Sequence, residues 1–173
     1  VTQKSTVRAG HFDQTVWVKV DGRGTFQVSA GLKEYVRRMI VRGYRQIVID
    51  LKDCELMDST FMGTLAGIAL RLREIGSGGL TVLRANERNS SLLENLGLDH
   101  LFSQSLPDGA ADPAASQPAE EVPAGPAAGA EDERTTMIHA HETLIEVSPA
   151  NEAKFRDVIE LLKQEPDQES SES

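Results

Sequence analysis

The chain has little of what metal, redox and nucleotide chemistry is usually built from. Its single cysteine, Cys54, excludes an internal disulfide and any multi-cysteine metal site. The apolar surroundings of that residue favour a small buried side chain over a reactive thiol. Aromatic residues are sparse, and no stretch approaches the roughly 18–20 apolar residues that a membrane span needs. The segment VTQKSTVRAG has no apolar centre of the kind a signal peptide carries. Cytoplasmic location and no membrane insertion are the expectations.

Glycine-rich phosphate sites are missing as well. DGRGTF (21–26) lacks a third glycine, and GSGG (76–79) precedes a strand with no following Lys-Ser/Thr, the wrong order for a phosphate loop. His139 and His141 are two residues apart, so on a helix they point to different sides and chelate poorly; a solvated or packing role is expected of them. No Ser–His–Asp order and no paired-carboxylate spacing stands out. The expectation is therefore no enzyme, no cofactor and no metal. Lys33, Arg37, Arg38, Arg42 and Arg45 gather on and after one helix, which reads as a solvated face. A nucleic-acid footprint would need a more basic domain.

What is present divides the chain in two. Residues 1–106 carry a balance of +3 and residues 107–173 one of −12, so the halves attract one another within a Debye length. The boundary is the segment 107–134, in which 17 of 28 residues are Ala, Pro or Gly, too few apolar groups to offset the cost of ordering. It reads as a flexible linker between a domain at 1–106 and amphipathic helices at 135–164. An acidic, disordered tail at 165–173 follows.

Within the first part, elements alternate. TVWVKV (15–20) places Val16, Val18 and Val20 on one face of a half-buried strand. Ser29 is placed to cap a helix over 30–42. QIVIDL (46–51) is nearly continuous aliphatic, a strand covered on both faces. A helix over 59–75, a strand over 80–85 and a short helix ended at Gly97 complete the series. Strand–helix–strand over 46–85 is a parallel crossover unit. The predicted class is α/β: a small mixed sheet with a parallel βαβ unit, covered by helices. After the linker, Met137, Ile138, His141, Leu144 and Ile145 form one helical stripe, and Ser148-Pro149 starts a second helix with Phe155, Val158, Ile159 and Leu162 on one face. Two such helices make no substantial core alone, so docking on their own domain or on a partner is expected, partly by charge.

Sites in sheets of this class gather beyond the carboxyl ends of strands. Asp58-Ser59-Thr60 lies at such an end. Taken alone it is a helix N-cap, a feature contributing typically about 1 kcal/mol. Gly63 and Gly67 inside the helix cost about 1 kcal/mol each relative to alanine and point to something approaching closely. Thr60, Thr64 and Gly67 make a flat polar face on which a partner can lie.

The order of motifs then carries a resemblance. IVIDLKDCELMDST followed by GTLAGIALRLREIGSGGLTVLRANERNSSLLENLGLDHLF resembles the STAS domain family, of sulfate transporters and anti-sigma factor antagonists, over roughly Val16 to Phe102. The resemblance implies a STAS-like fold and a non-enzymatic anti-sigma factor antagonist that binds an anti-sigma factor which is also its serine kinase. A metal-dependent serine phosphatase reverses the mark. It implies Ser59 as the phosphorylated residue, with Thr60 the neighbouring alternative, and a partner surface at Asp58, Ser59, Thr60, Met62, Gly63, Thr64, Gly67 and Thr25. Phe61 stands where the family usually has glycine and Thr25 where an acidic residue is common, both in the family's partner-contacting region. A phosphate at a helix N-terminus suits the macrodipole, so it should change the surface, where Asp53, Glu55 and Asp58 make an acidic patch, rather than unfold the domain. The alternative, from a different class, is a STAS subunit acting as a constitutive scaffold on a membrane ABC transporter.

Overall fold

The computed structural model describes residues 5–106, 120–125 and 132–164. The expected tail at 165–173 and most of the expected linker lie outside the described residues. The elements run β1 (Thr6–Phe12), β2 (Thr15–Gly24), α1 (Phe26–Val41), β3 (Gln46–Asp50), β4 (Cys54–Met57) and α2 (Ser59–Ile75). Then follow β5 (Gly79–Leu83), α3 (Glu87–Asn95), β6 (Glu120–Glu121), α4 (Glu133–Val147) and α5 (Asn151–Gln164).

The sheet has the order β5-β3-β2-β1-β6. Strands β2, β3 and β5 are parallel, and β1 is antiparallel to β2. The upper end of β2 bends away through an irregular register to pair with β4 at Gly22–Gly24. The fold is thus the mixed α/β sheet with a parallel crossover unit that the sequence predicts. One face of the sheet carries the main core: Val16, Val18 and Val20 of β2 with Ile47 and Ile49 of β3 meet Leu32, Val36, Leu65 and Leu72 of α1 and α2. The opposite face buries Trp17, Val48 and Leu83 in a small cluster closed by Leu106. Alternation along the strands therefore serves two cores of unequal size.

Several boundaries differ from the reading above. Ser29 does not start α1. Thr25 does, its hydroxyl accepting from Gln27 N–H at 3.3 Å, while Ser29 Oγ donates back to the Thr25 carbonyl at 2.8 Å. α1 thus begins at Phe26, one turn earlier than the expected start at residue 30. Strand β1 was not foreseen, because only Val7 and Ala9 of it are buried. α5 begins at Asn151, two residues beyond the proline expected to open it.

The segment 107–134 is also not a linker throughout. Glu120 and Glu121 add a short antiparallel edge to β1, and Val122 is buried in the main core with its N–H on the Val7 carbonyl at 2.8 Å. Ala124 accepts from Gly31 N–H at 3.3 Å, and Pro123 passes so close to α1 that a Cβ at Gly31 would lie 1.8 Å from its carbonyl oxygen. A single large apolar residue in an Ala/Pro/Gly context is a weak signal, yet one buried valine is enough to pin an edge segment.

Phe61 is fully buried, with its ring packed against the backbone of Gly24. The residue that stands where the family usually has glycine thus belongs to the core. Phe61→Ala should cost about 3–5 kcal/mol, read as a lower urea midpoint; a cost below about 0.5 kcal/mol, the size typical of surface changes, would show the ring is not core.

Candidate functional site

The turn between β4 and α2 is built around one carboxylate. Asp58 lies in extended backbone as the α2 N-cap, with Oδ1 accepting from Phe61 N–H at 2.8 Å. Its other oxygen accepts from Phe26 N–H at 2.7 Å, the first amide of α1. Its own N–H donates to the Gly24 carbonyl at 2.9 Å. One side chain thus satisfies orphan donors at the starts of two helices.

Because Asp58 does the capping, the Ser59 hydroxyl is not needed for it. Ser59 is the first residue of α2, half-exposed, and its Oγ lies 2.8 Å from His141 Nε2 on α4. The other ring nitrogen lies 2.7 Å from the Met137 carbonyl, which can only accept, so Nδ1 carries the proton and donates. Nε2 is then the acceptor and Ser59 the donor. His141 is 3% exposed, with the Phe155 ring of α5 5.1 Å from its own. Burial lowers its pKa below the ordinary imidazole value, outweighing the Met137 bond and the Asp58 charge, which both favour the cation. The packing role expected of the histidines holds for His141; His139 is exposed at the edge of a cavity.

The small-residue face of α2 is covered by α4. The carbonyl of Ala140 approaches Gly63 so closely that a Cβ there would lie 2.4 Å from that oxygen. Gly63 therefore does mark a close approach. Gly67 does not: nothing lies within 4 Å of its added Cβ, and it opens into a cavity of about 310 Å³ between α1, α2 and α4. Thr60, Met62 and Thr64 are all buried, while Thr25 is half-exposed at the start of α1. The structure thus brings Asp58, Ser59, Thr60, Gly63 and Thr64 together beneath α4, and buries Met62 in the main core.

The docked face of α4 is rotated from the one anticipated. Thr136, Ala140, His141 and Leu144 are buried, whereas Met137, Ile138 and Ile145 are only partly so. Large apolar side chains mark the anticipated stripe, but close helix packing against Gly63 selects small ones. On α5, Ile159 and Leu162 are buried and Val158 is exposed. Asn151 ties the hairpin to the domain, its Nδ2 donating to the carbonyls of Leu144 and Leu96 at 2.8 and 2.9 Å.

Within the basic cluster, Arg37 and Arg38 face Glu34 of the same helix, and Arg45 donates to the carbonyls of Ile40 and Tyr44. The acidic patch is likewise largely spent. Asp53 pairs with Lys19 at 2.8 Å, and the Lys19 hydrogen bond holds its carboxyl below the usual range, while Asp58 caps. Cys54 is buried and burial pushes its thiol pKa up, as expected of a core cysteine. Among the described residues there is no cluster able to hold a metal ion, and no described helix is long and apolar enough to cross a membrane.

A mixed sheet with a capped, serine-led helix beyond its parallel strands is the architecture of a STAS domain. The STAS domain model matches residues 6–109, and the chain belongs to the STAS domain family. No curated protein sequence matches. Among solved structures, TM1081 from Thermotoga maritima, provisionally assigned as an anti-sigma factor antagonist, is 20% identical. It aligns over 59% of this chain and 87% of its own at a TM-score of 0.54. The unphosphorylated anti-sigma factor antagonist SpoIIAA is 17% identical over 58% of this chain and 88% of its own, with a TM-score of 0.52. At these identities the likeness is one of fold.

Two outcomes test this geometry. Asp58→Ala removes both caps and should cost about 2–4 kcal/mol in denaturant unfolding, with Asp58→Asn between it and the native protein. The second concerns pH. A base whose folded pKa is depressed stabilises the docked form fully above its free value and progressively less as pH falls below about 6.5. The groups facing His141 are the Ser59 hydroxyl, the Met137 carbonyl, the Phe155 ring and the Asp58 carboxylate, of which the Met137 carbonyl and Asp58 oppose this trend without overcoming burial. Amide spectra should therefore show α4 loosening between pH 7 and 5 while β3 and β5 stay unchanged, and His141→Gln should flatten the response.

Proposed function

We propose that this protein is an anti-sigma factor antagonist of the phosphorylation-controlled type, a cytoplasmic binding switch with no reaction of its own. Its partner is an anti-sigma factor that is also a serine kinase, with a serine phosphatase acting in the opposite direction. Family membership and the fold of its structural neighbours support the class. The observation that carries the choice of residue is that Asp58 does the capping and leaves the Ser59 hydroxyl to a side chain of a separate element.

The chemistry at Ser59 suits a surface mark. A phosphoryl group adds about −1.5 to −2 charge at the positive end of α2, where it is tolerated. Three new oxygens would enter the space now held by the His141 ring. The core beneath, centred on Phe61 and Leu65, does not contact Ser59 Oγ through any polar group, so the sheet should survive modification. Affinity for a partner resting on this turn should fall, since each 1.4 kcal/mol of added repulsion or desolvation is tenfold.

Phosphopeptide mapping of protein recovered from its native cells should place phosphate on Ser59 within the tryptic peptide 53–71. Phosphate confined to Thr60 or to another peptide would refute the assignment. Ser59→Asp should weaken binding of the copurifying kinase at least tenfold, with the main unfolding midpoint shifted by less than about 1 kcal/mol equivalent. Stable copurification with a membrane ABC ATPase, indifferent to Ser59→Asp, would favour the scaffold role instead.

A further inference from the structure

The family unit matched ends at residue 109, and α4 and α5 lie beyond it. They nevertheless cover the turn at Ser59 and the small-residue face of α2. The face is shaped for a helix. Gly63 admits a helical backbone to van der Waals distance, and the stripe that meets it has small or medium side chains four residues apart, Thr136, Ala140 and Leu144. His141, beside that stripe, supplies the acceptor for Ser59.

The fit is incomplete in ways a permanent core would not retain. Thr136 lines the cavity, and its buried hydroxyl has no hydrogen-bond partner among the described residues. That cavity of about 310 Å³ lies between α4 and the two helices beneath it, with Val36, Ile40 and Ile68 in its wall. An unpartnered hydroxyl and lost packing both weaken attachment. A buried neutral imidazole adds a third cost whenever it must take up a proton. Meanwhile the pinned segment at Val122 keeps α4 attached nearby whether or not it is docked.

We propose that the α1–α2 face is a helix-binding surface which α4 occupies in cis as an exchangeable cover. The partner it fits is a protein presenting an amphipathic helix with a small-residue stripe and a hydrogen-bond acceptor beside it, in place of α4. That this partner is the anti-sigma factor rests on the functional reading above; the exchange itself does not. Modification of Ser59 displaces the cover and the partner alike, because both use the same oxygen. The unmodified protein is therefore held partly closed, and its partner must win the surface from α4.

Hydrogen exchange on the full chain, with no kinase or partner present, tests this apart from the function. In the native protein, α4 amides should exchange at least tenfold faster than those of β3 and β5, through local detachment. Equal rates would mean that α4 opens only with the whole fold, and would overturn the proposal. Ala140→Asp should strip protection from α4 while leaving β3 and β5 unchanged; loss of sheet protection as well would make α4 integral core and equally overturn it. A labelled peptide of residues 132–164 should then bind the Ala140→Asp protein at least tenfold more tightly than the native one. Gly63→Ala, a better helix former in α2, should also free α4, yet should refuse the peptide because its Cβ blocks the same approach. Equal peptide binding by native and Ala140→Asp proteins, or full binding by Gly63→Ala, would show that the surface is not the one α4 covers.

Discussion

The structure turns on the Asp58 carboxylate. Two helices begin within its reach, and each places an N–H of its first turn on one of its oxygens, at 2.7 and 2.8 Å. Such bonds to a charged acceptor are stronger than neutral ones, and the two helix dipoles add their positive ends to the same anion. Its N–H on Gly24 ties this point to the end of β2, so the sheet, α1 and α2 share a single corner. Everything placed beyond that corner, Ser59 first, inherits its position from it.

Above the corner the packing follows a different economy. Beneath α2 the contacts are aliphatic and buried, with Leu65 and Leu72 fully enclosed. Above it, α4 meets α2 through Gly63, Ala140 and threonines. Close backbone approach gains dispersion contacts but removes little apolar area from water, and area is what contributes most to stability. A surface of this kind can be specific in shape while weak in grip. The same helix is thus solid on one side and negotiable on the other.

The sequence made the solid side legible. A continuous aliphatic run at 46–51, an Asp-Ser-Thr turn and a helical stripe through Leu65 and Leu72 are strong local signals, and the parallel unit they form follows from them. What escaped notice depended on neighbours distant in the chain. Ser29 is by type the better cap, yet α1 starts at Thr25, where Asp58 receives the first amide of the helix. β1 buries just two of its residues, and β6 is two glutamates that pair only because Val122 finds a hole in the core. His141 could be excluded as a chelator from spacing, but its place over Ser59, 82 residues earlier, has no local signature. The docked face of α4 is hidden in the sequence for a physical reason: the largest side chains mark one face, whereas a glycine opposite rewards the smallest.

The pinning of Val122 also sets a length. From Gly125, the end of the anchored segment, to Asp132, the cap of α4, the chain can span at most about 25 Å at full extension. A helix on so short a tether meets its seat at an effective concentration of order millimolar. A rival in solution, present at micromolar levels, starts at a disadvantage of about a thousandfold in concentration and must make it up in contacts. When that rival leaves, the seat is refilled from within before a second molecule diffuses in. The two-glutamate edge strand and the valine after it therefore do more than close a sheet: they make release from this surface final, and turn a weak contact into a threshold.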